Sequence, residues 1–321
     1  MRPLLRPKVG LVLGGGGARG LAHVGVLKVL EEAKVPIDVI VGSSMGSMVG
    51  SLYALYGRAS DVEERLREFT RSPQFRSGKF MDLQAMTPLP TEDQGFVQTA
   101  RRFYKLGLFF ATTIFRKSFI DPVQFEGDVA AIIPDCLIED SPIQLAVVAT
   151  DLRSGGEVVL TRGPVRRAVQ ASSAIAGIFP PVEMEGKELV DGGFVNKVPV
   201  EVALRLGADV VIAVDVSNDV MDSQEFSRTG SAISMRASAI LAETLKNIQM
   251  RFADVVVRPS VADVHWADFY AIDDIVPRGE HAARLAMPTV RSALRAGWGR
   301  RLRRMLGLKL VWSMDFTAQG P

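Results

Sequence analysis

The chain has 321 residues, 47% hydrophobic and 23% charged, which suits one large α/β domain or two smaller ones with a buried core. Its formal net charge of +2 gives no support for a nucleic-acid partner or any other polyanion. A single cysteine, Cys136, excludes an intrachain disulfide and suits a reducing compartment, so we expect a cytoplasmic protein.

Neither a leader nor a membrane span is evident in the sequence. Residues 1–8 lack the apolar core of a signal peptide. No uninterrupted apolar stretch approaches the roughly 18 residues needed to cross a bilayer. We therefore expect a soluble protein, or one that rests peripherally on an anionic membrane surface.

The first predicted strand, residues 9–13, runs into a glycine loop at residues 14–20, and a helix follows. Four successive glycines, residues 14–17, expose backbone N–H groups at a helix N-terminus. Such a loop binds a phosphate or the oxyanion of an acyl-transfer intermediate. Arg19 either adds a fixed positive charge or anchors the loop to a neighbouring carbonyl or carboxylate.

The same loop contains the spacing of a dinucleotide-binding fingerprint, at Gly15, Gly17 and Gly20. That fingerprint requires an acidic residue at the end of the second strand, to hold the ribose. The only acid of the second strand, Asp38, comes at its start. The dinucleotide interpretation therefore fails, although a nucleotide bound without that contact stays open.

The second predicted strand ends in Gly-Ser-Ser-Met-Gly at residues 42–46, and a helix rich in small residues follows. A serine on a tight turn between strand and helix is typical of a nucleophile elbow, which predicts Ser44 as the nucleophile. The alternative is an ordinary βα turn. An oxyanion loop beside an elbow serine explains both motifs together, and this favours a hydrolase.

Further on, Ser60 and Glu63 have capping-box spacing and predict a helix over 60–70.

The pattern is irregular over residues 71–118. Within it, residues 101–117 are aromatic and apolar with basic flanks. This segment either packs as core or as a lid, or it contacts a membrane or an acyl chain.

From residue 121 onward, strands alternate with helices, which predicts a mostly parallel sheet covered on both faces. The small, proline-stiffened stretch 171–181 permits close backbone approach, which suits either lining a site or packing of helix on strand, and we interpret it as packing. A later strand carries Asp191 into a double-glycine turn. In open α/β sheets the site lies outside the carboxyl ends of the strands, which is also where Ser44 is expected.

Ser44 needs a base to take its proton. None of the three histidines, His23, His265 and His281, lies in a late strand-end turn where a hydrolase histidine is expected. Asp191 is better positioned by topology. A direct Ser–Asp dyad requires a carboxylate made more basic by partial burial.

A predicted helix over 278–296 leads into a run rich in arginine at 299–309. These cations suit either attraction to anionic lipid or a solvated basic tail.

Four motifs in this order resemble those of bacterial patatin-like phospholipases: Gly-Gly-Gly-Ala-Arg-Gly at 15–20, Gly-Ser-Ser-Met-Gly at 42–46, the stretch 171–181, and Asp-Gly-Gly at 191–193. The resemblance implies an α/β fold, a three-layer α/β/α sandwich with a mostly parallel central sheet. It implies a serine acyl hydrolase that cleaves fatty-acyl esters of phospholipids or related lipids without a metal or cofactor. It assigns Ser44 as nucleophile, Asp191 as base, and Gly15, Gly16, Gly17 and Arg19 to the oxyanion loop.

On this basis we expect an acyl hydrolase domain over residues 1–296, with 71–118 as a variable lid or lipid-contact insertion, and a basic tail over 297–321. The alternative is a regulatory or adaptor protein that keeps the fold but turns over little.

Overall fold

A mixed eight-stranded sheet forms the centre of the computed structural model, which describes residues 6–77, 118–217 and 230–306. Its order is β5-β6-β3-β2-β1-β7-β8, and β4 pairs with β3 off this path. The strands are β1 Val9–Leu13, β2 Val39–Ser43, β3 Gln144–Asp151, β4 Glu157–Leu160, β5 Val182–Met184, β6 Lys187–Asp191, β7 Val210–Val214 and β8 Val255–Val257.

The helices that cover this sheet are α1 Ala22–Glu32, α2 Met45–Tyr56, α3 Ala59–Arg71, α4 Pro73–Ser77, α5 Pro122–Ile132, α6 Val165–Ser172, α7 Val200–Arg205, α8 Gly230–Met250 and α9 Ile272–Met305. A 3₁₀ turn, Gly17–Leu21, leads into α1, and another, Gly192–Phe194, follows β6. Asp121 caps α5 by accepting hydrogen bonds from two amides of its first turn.

Alternate residues of the central strands point into two separate cores. Leu11 and Leu13 join the core formed by α1, α2, α3, α5, α6 and α9, which we name the first layer. Val12 joins the core formed by α7 and by Met250 at the end of α8, which we name the second layer. Strands buried on both faces are apolar throughout, as β1 is. The predicted three-layer α/β/α architecture is confirmed.

Strands β3, β2, β1, β7 and β8 are parallel neighbours. Their carboxyl ends therefore lie at one edge of the sheet, which we name the carboxyl edge, and their amino ends lie at the opposite, amino edge. Ser44 directly follows β2 and lies at the carboxyl edge.

Strands β2 and β6 lie end to end along one side of β3. Val148 of β3 pairs with Ser43 of β2, and the next residue, Ala149, pairs with Asp191 of β6. Both of these β3 residues also pair with β4, so β4 fills the other side of β3. The ends of β2 and β6 consequently meet: a Cβ added to Gly192 would lie 2.8 Å from Ser43 Oγ.

This arrangement differs from the one that the open-sheet rule assumes. β6 runs antiparallel to β3, so Asp191 is not the end of one more parallel strand. It reaches the carboxyl edge from beyond the end of β2, because β6 pairs with the last residues of β3 and runs back toward Ser43.

The last described helix, α9, connects the two edges of the sheet. It begins at the carboxyl edge, beside the 3₁₀ turn Phe269–Ala271, and ends past the amino edge. There Arg300 pairs with Asp254 at 2.5 Å and Arg301 with Asp209 at 3.7 Å, and these two aspartates precede β8 and β7. The helix is longer at both ends than the predicted 278–296, and it contains Pro277 and Pro288.

Two predicted lipid-contact segments fall mostly outside the described residues. Residues 101–117 lie wholly outside them, as do residues 307–321 of the basic tail. Within the described ranges, no helix is both long and apolar enough to cross a membrane.

Candidate active site

Ser44 occupies a strained turn between β2 and α2. Its backbone angles are φ 53° and ψ −126°, a conformation that a residue with a side chain rarely adopts. The turn requires glycine on both sides: a Cβ on Gly42 would lie 2.4 Å from Ser47 Cα, and one on Gly46 would lie 2.0 Å from Leu13 O. The strand and the helix therefore meet at backbone contact and present Ser44 at the tip.

The side chains of Ser44 and Asp191 are joined by a hydrogen bond. Ser44 Oγ donates to Asp191 Oδ2 at 2.6 Å. Gly193 N donates to the other carboxylate oxygen at 2.7 Å, and Thr150 Oγ1 donates to the backbone carbonyl of Asp191 at 2.9 Å. Both residues are buried. The carboxylate is thus fixed with one oxygen on the hydroxyl and the other on a backbone amide.

Burial raises the pKa of Asp191 from 3.8 to about 6. The hydrogen bonds from Ser44 and Gly193 and the positive charge of Lys197 act in the opposite direction. A carboxylate with this pKa is still mostly ionised at neutral pH and is a stronger base than an ordinary aspartate.

The glycine loop has two amides left for a ligand. Gly15 N donates to Lys197 O at 3.0 Å, and Ala18 N donates to Trp266 O at 2.7 Å. Over the described ranges, the amides of Gly16 and Gly17 donate no hydrogen bond to the protein. Gly17 has φ +58° and lines the same pocket as Ser44. The loop can therefore offer the Gly16 and Gly17 amides to an oxyanion, whereas the Gly15 amide is used.

Arg19 and His23 hold the loop in this shape. Arg19 Nε donates to Val264 O at 2.7 Å, so the second of its two predicted roles, an anchor to a carbonyl, is the one observed. His23 Nε2 lies 2.8 Å from Gly14 O, and burial lowers its pKa to about 4. The neutral ring donates this hydrogen bond. No hydrogen bond links His23, His265 or His281 to Ser44 in the described structure.

Comparison with known proteins now identifies the family. Residues 11–204, more than half of the chain, match the family described as patatin-like phospholipase. The chain belongs to the patatin-like phospholipase family. Patatin-like phospholipase domain-containing protein 6 of Mus musculus is 34% identical over 235 residues, which cover 73% of this chain and 15% of that protein. Lysophospholipase nte1 of Aspergillus fumigatus is 34% identical over 224 residues, which cover 68% of this chain and 12% of that protein.

The patatin-like chain thus spans less than one sixth of the length of these curated relatives, since it covers at most 15% of either. Among solved structures, VipD from Legionella pneumophila aligns over 90% of this chain and 67% of its own, with 13% identity and a TM-score of 0.43.

Two residues beside the patatin-like site have roles that the sequence did not reveal. Ser172, within the stretch interpreted as packing, accepts a hydrogen bond from Ser44 N at 2.9 Å and donates one to Val148 O at 2.6 Å. It therefore ties the strained elbow to β3. Lys197 carries the carbonyl that holds Gly15. Neither role has a local signal, because each partner is distant in sequence.

An apolar pocket opens beside Ser44. Its walls come from the first-layer side of the sheet: from α2, α3, α4 and α5, from the segment after α6, and from the segment before α9. Its lining side chains include Met48, Leu66, Phe125, Val129, Ile132 and Phe179. Such a surface suits a hydrocarbon chain. Within residues 6–77, 118–217 and 230–306, no three or more His, Cys, Asp or Glu side chains are grouped to hold a metal ion.

Proposed function

We propose that this chain is a serine hydrolase of lipid acyl esters, with phospholipids or lysophospholipids as the substrate class. The observation that carries the proposal is the 2.6 Å hydrogen bond from Ser44 Oγ to Asp191 Oδ2, next to an apolar pocket. Two relatives named phospholipase and lysophospholipase support the choice of substrate.

The first half-reaction transfers the acyl group to Ser44. Asp191 Oδ2 takes the hydroxyl proton as Oγ attacks the ester carbonyl carbon. The carbonyl oxygen becomes an oxyanion, and the amides of Gly16 and Gly17 donate hydrogen bonds to it. When the C–O bond of the ester breaks, Asp191 returns the proton to the leaving alkoxide.

The second half-reaction releases the fatty acid. A water molecule enters where the alcohol left and gives a proton to Asp191 as its oxygen attacks the acyl carbon. The same two amides stabilise the second oxyanion. Collapse of this intermediate returns the proton to Ser44 Oγ, so both residues end as they began.

Gly15 and Arg19 have supporting roles in this scheme. The Gly15 amide and the Arg19 guanidinium donate to carbonyls of the protein, so they hold the loop rather than the oxyanion. Of the four residues that the family resemblance assigns to the oxyanion loop, the proposal therefore keeps only Gly16 and Gly17 as donors to the oxyanion.

The proposal also includes four expectations that rest on the sequence. They are a cytoplasmic location, peripheral contact with anionic membranes, an acyl hydrolase domain over residues 1–296 followed by a basic tail, and a bacterial grouping within the family. The relatives described above come from a mouse and a fungus.

The test is fatty-acid release from lysophospholipid micelles and from mixed anionic phospholipid vesicles. We expect Ser44→Ala and Asp191→Asn to abolish release. Ser51→Ala is the matched control, because it removes a buried hydroxyl of α2 that has no hydrogen-bond partner among the described residues. Release that survives in Ser44→Ala would refute the assignment of the nucleophile.

A fluorophosphonate probe, which reacts with activated serines, gives a second measurement. Labelling of the wild type but not of Ser44→Ala, without release from any ester, would favour the low-turnover regulatory alternative.

A further inference from the structure

Lys197 lies between the two halves of the site without belonging to the dyad. Its backbone carbonyl accepts the hydrogen bond from Gly15 N. Its side chain passes both glycine turns, since a Cβ added to either Gly15 or Gly193 would lie 3.9 Å from Lys197 Cγ. A Cβ on Gly15 would also lie 3.1 Å from Ser44 Cβ. The lysine stem therefore runs directly beside the reacting residues.

The ammonium group of Lys197 has no bound partner in the described structure. No carboxylate among these residues lies within ion-pair distance of it, and no hydrogen bond to it is found there. The carboxylates whose charges interact with it have other partners: Asp215 and Glu243 pair with Lys246 at 3.0 Å and 2.6 Å, and Asp191 accepts the hydrogen bond from Ser44.

The surroundings of Lys197 favour an added anion. Burial lowers its pKa, the charge of Lys246 lowers it further, and Arg19 acts in the same direction. Asp215 and Glu243 only partly offset these effects. The pKa of Lys197 is lowered overall, so a negatively charged ligand beside its ammonium group would be favourable.

Lys197 and the apolar pocket lie on different faces of the sheet. The pocket walls belong to the first layer. The groups around Lys197, Glu243 and Lys246, belong to α8, whose end packs in the second layer. Ser44 lies between them at the carboxyl edge. An ester bound at Ser44 with its acyl chain in the pocket therefore directs its alcohol portion toward Lys197.

We propose that Lys197 binds the phosphate group of the substrate's alcohol portion and so selects phospholipids over neutral acylglycerols. This inference rests on the proposed acyl hydrolase function. The ammonium supplies a charge-assisted hydrogen bond to a phosphate oxygen. The contact fixes the glycerol while the acyl chain occupies the pocket.

The experiment compares two substrates that carry the same oleoyl ester, 1-oleoylglycerol 3-phosphate and 1-oleoylglycerol, in the same neutral detergent micelles at pH 8. At this pH Asp191 is ionised. We expect the wild type to prefer the phosphate-bearing lipid. We expect Lys197→Met to reduce that preference about tenfold, mainly through KM, and Lys197→Arg to restore most of it. Lys187→Met is the matched control, because this lysine is exposed in the β5–β6 hairpin.

The outcomes separate this inference from the proposed function. A wild type that cleaves neither lipid would overturn the hydrolase proposal. A wild type that cleaves both, with a preference unchanged in Lys197→Met, would leave the hydrolase standing and overturn the phosphate contact.

Equal loss on both substrates would assign the Lys197 charge an effect on the neighbouring Asp191 and would also overturn the contact. Inorganic phosphate tests the other source of the ligand. Inhibition of 1-oleoylglycerol hydrolysis by inorganic phosphate, in an enzyme that shows no preference for the phosphate-bearing lipid, would assign a free-anion site and refute headgroup selection.

Discussion

Replacing Asp191, the proposed base, should make the protein more stable as it becomes inactive. Asp191→Asn removes a charge that folding takes out of water. The carboxamide can keep both hydrogen bonds, since its oxygen can accept from Gly193 N and its nitrogen can donate to Ser44 Oγ. The substitution therefore removes only the free-energy cost of burying an ionised carboxylate.

The size of the effect follows from the pKa of Asp191, which is 3.8 in its ordinary state and about 6 in the folded protein. The folded state binds the Asp191 proton more tightly than the unfolded state does. The free-energy cost of burying the ionised carboxylate is therefore absent at low pH, grows as the pH rises between these two pKa values and is complete above 6. The free energy of unfolding of Asp191→Asn should exceed that of the wild type by about 3 kcal/mol at pH 8 and by about half of that at pH 5.

Urea denaturation followed by tryptophan fluorescence at both pH values measures this difference. Asp151→Asn is the control of opposite sign. Its carboxylate accepts hydrogen bonds from Ser154 Oγ and from several backbone amides, and these bonds lower its pKa, so its loss should destabilise the fold at pH 8. Equal stability of Asp191→Asn and wild type at pH 8, or a gain that does not shrink at pH 5, would refute the reasoning.

Three further predictions concern activity. On a soluble short-chain ester, kcat/KM should fall about tenfold per pH unit below pH 6, because Asp191 must be unprotonated to accept a proton and its pKa is about 6. A kcat/KM that stays constant between pH 5 and 7 would exclude Asp191 as the base. Ser172→Ala leaves Ser44 N and Val148 O without their shared partner; we expect a loss of about 1–3 kcal/mol in unfolding free energy and a lower kcat, and unchanged values of both would contradict this role. Met48 lies one turn after Ser44, and Met48→Trp should fill part of the apolar pocket. In a series of esters of increasing acyl length, hydrolysis of long chains should slow while hydrolysis of short chains is kept. Equal slowing for all chain lengths would show that the acyl group lies elsewhere.

Local chemistry explains which parts of the fold could be read from the sequence. The turn at Ser44 needs glycine at 42 and 46 because no side chain fits there. The five-residue motif at 42–46 shows this requirement directly in the sequence. The alternation of apolar strands and helices likewise predicts the layered sheet.

Features that depend on distant partners were not accessible in this way. A helix was predicted to begin with Ser60 as its capping residue. It begins instead at Ala59, and no side chain at its own N-cap position makes a capping hydrogen bond. The amide of Ala59 donates to the carboxylate of Glu31 in α1. The end-to-end meeting of β2 and β6 depends on β4 filling the other side of β3. The contacts of Ser172 and Lys197 are likewise set by tertiary packing.

The length of α9 places its two ends at opposite edges of the sheet. Its 34 residues correspond to about 50 Å of helix, running from the pocket side to a tip fastened at the amino edge by Arg300 and Arg301. That tip exposes Trp298 and Leu302 beside its arginines. A bilayer attached there would contact the amino edge, whereas Ser44 lies at the carboxyl edge. Anchoring and substrate capture would then use different surfaces, so a molecule tethered by its tip would draw its lipid from solution or from a second membrane.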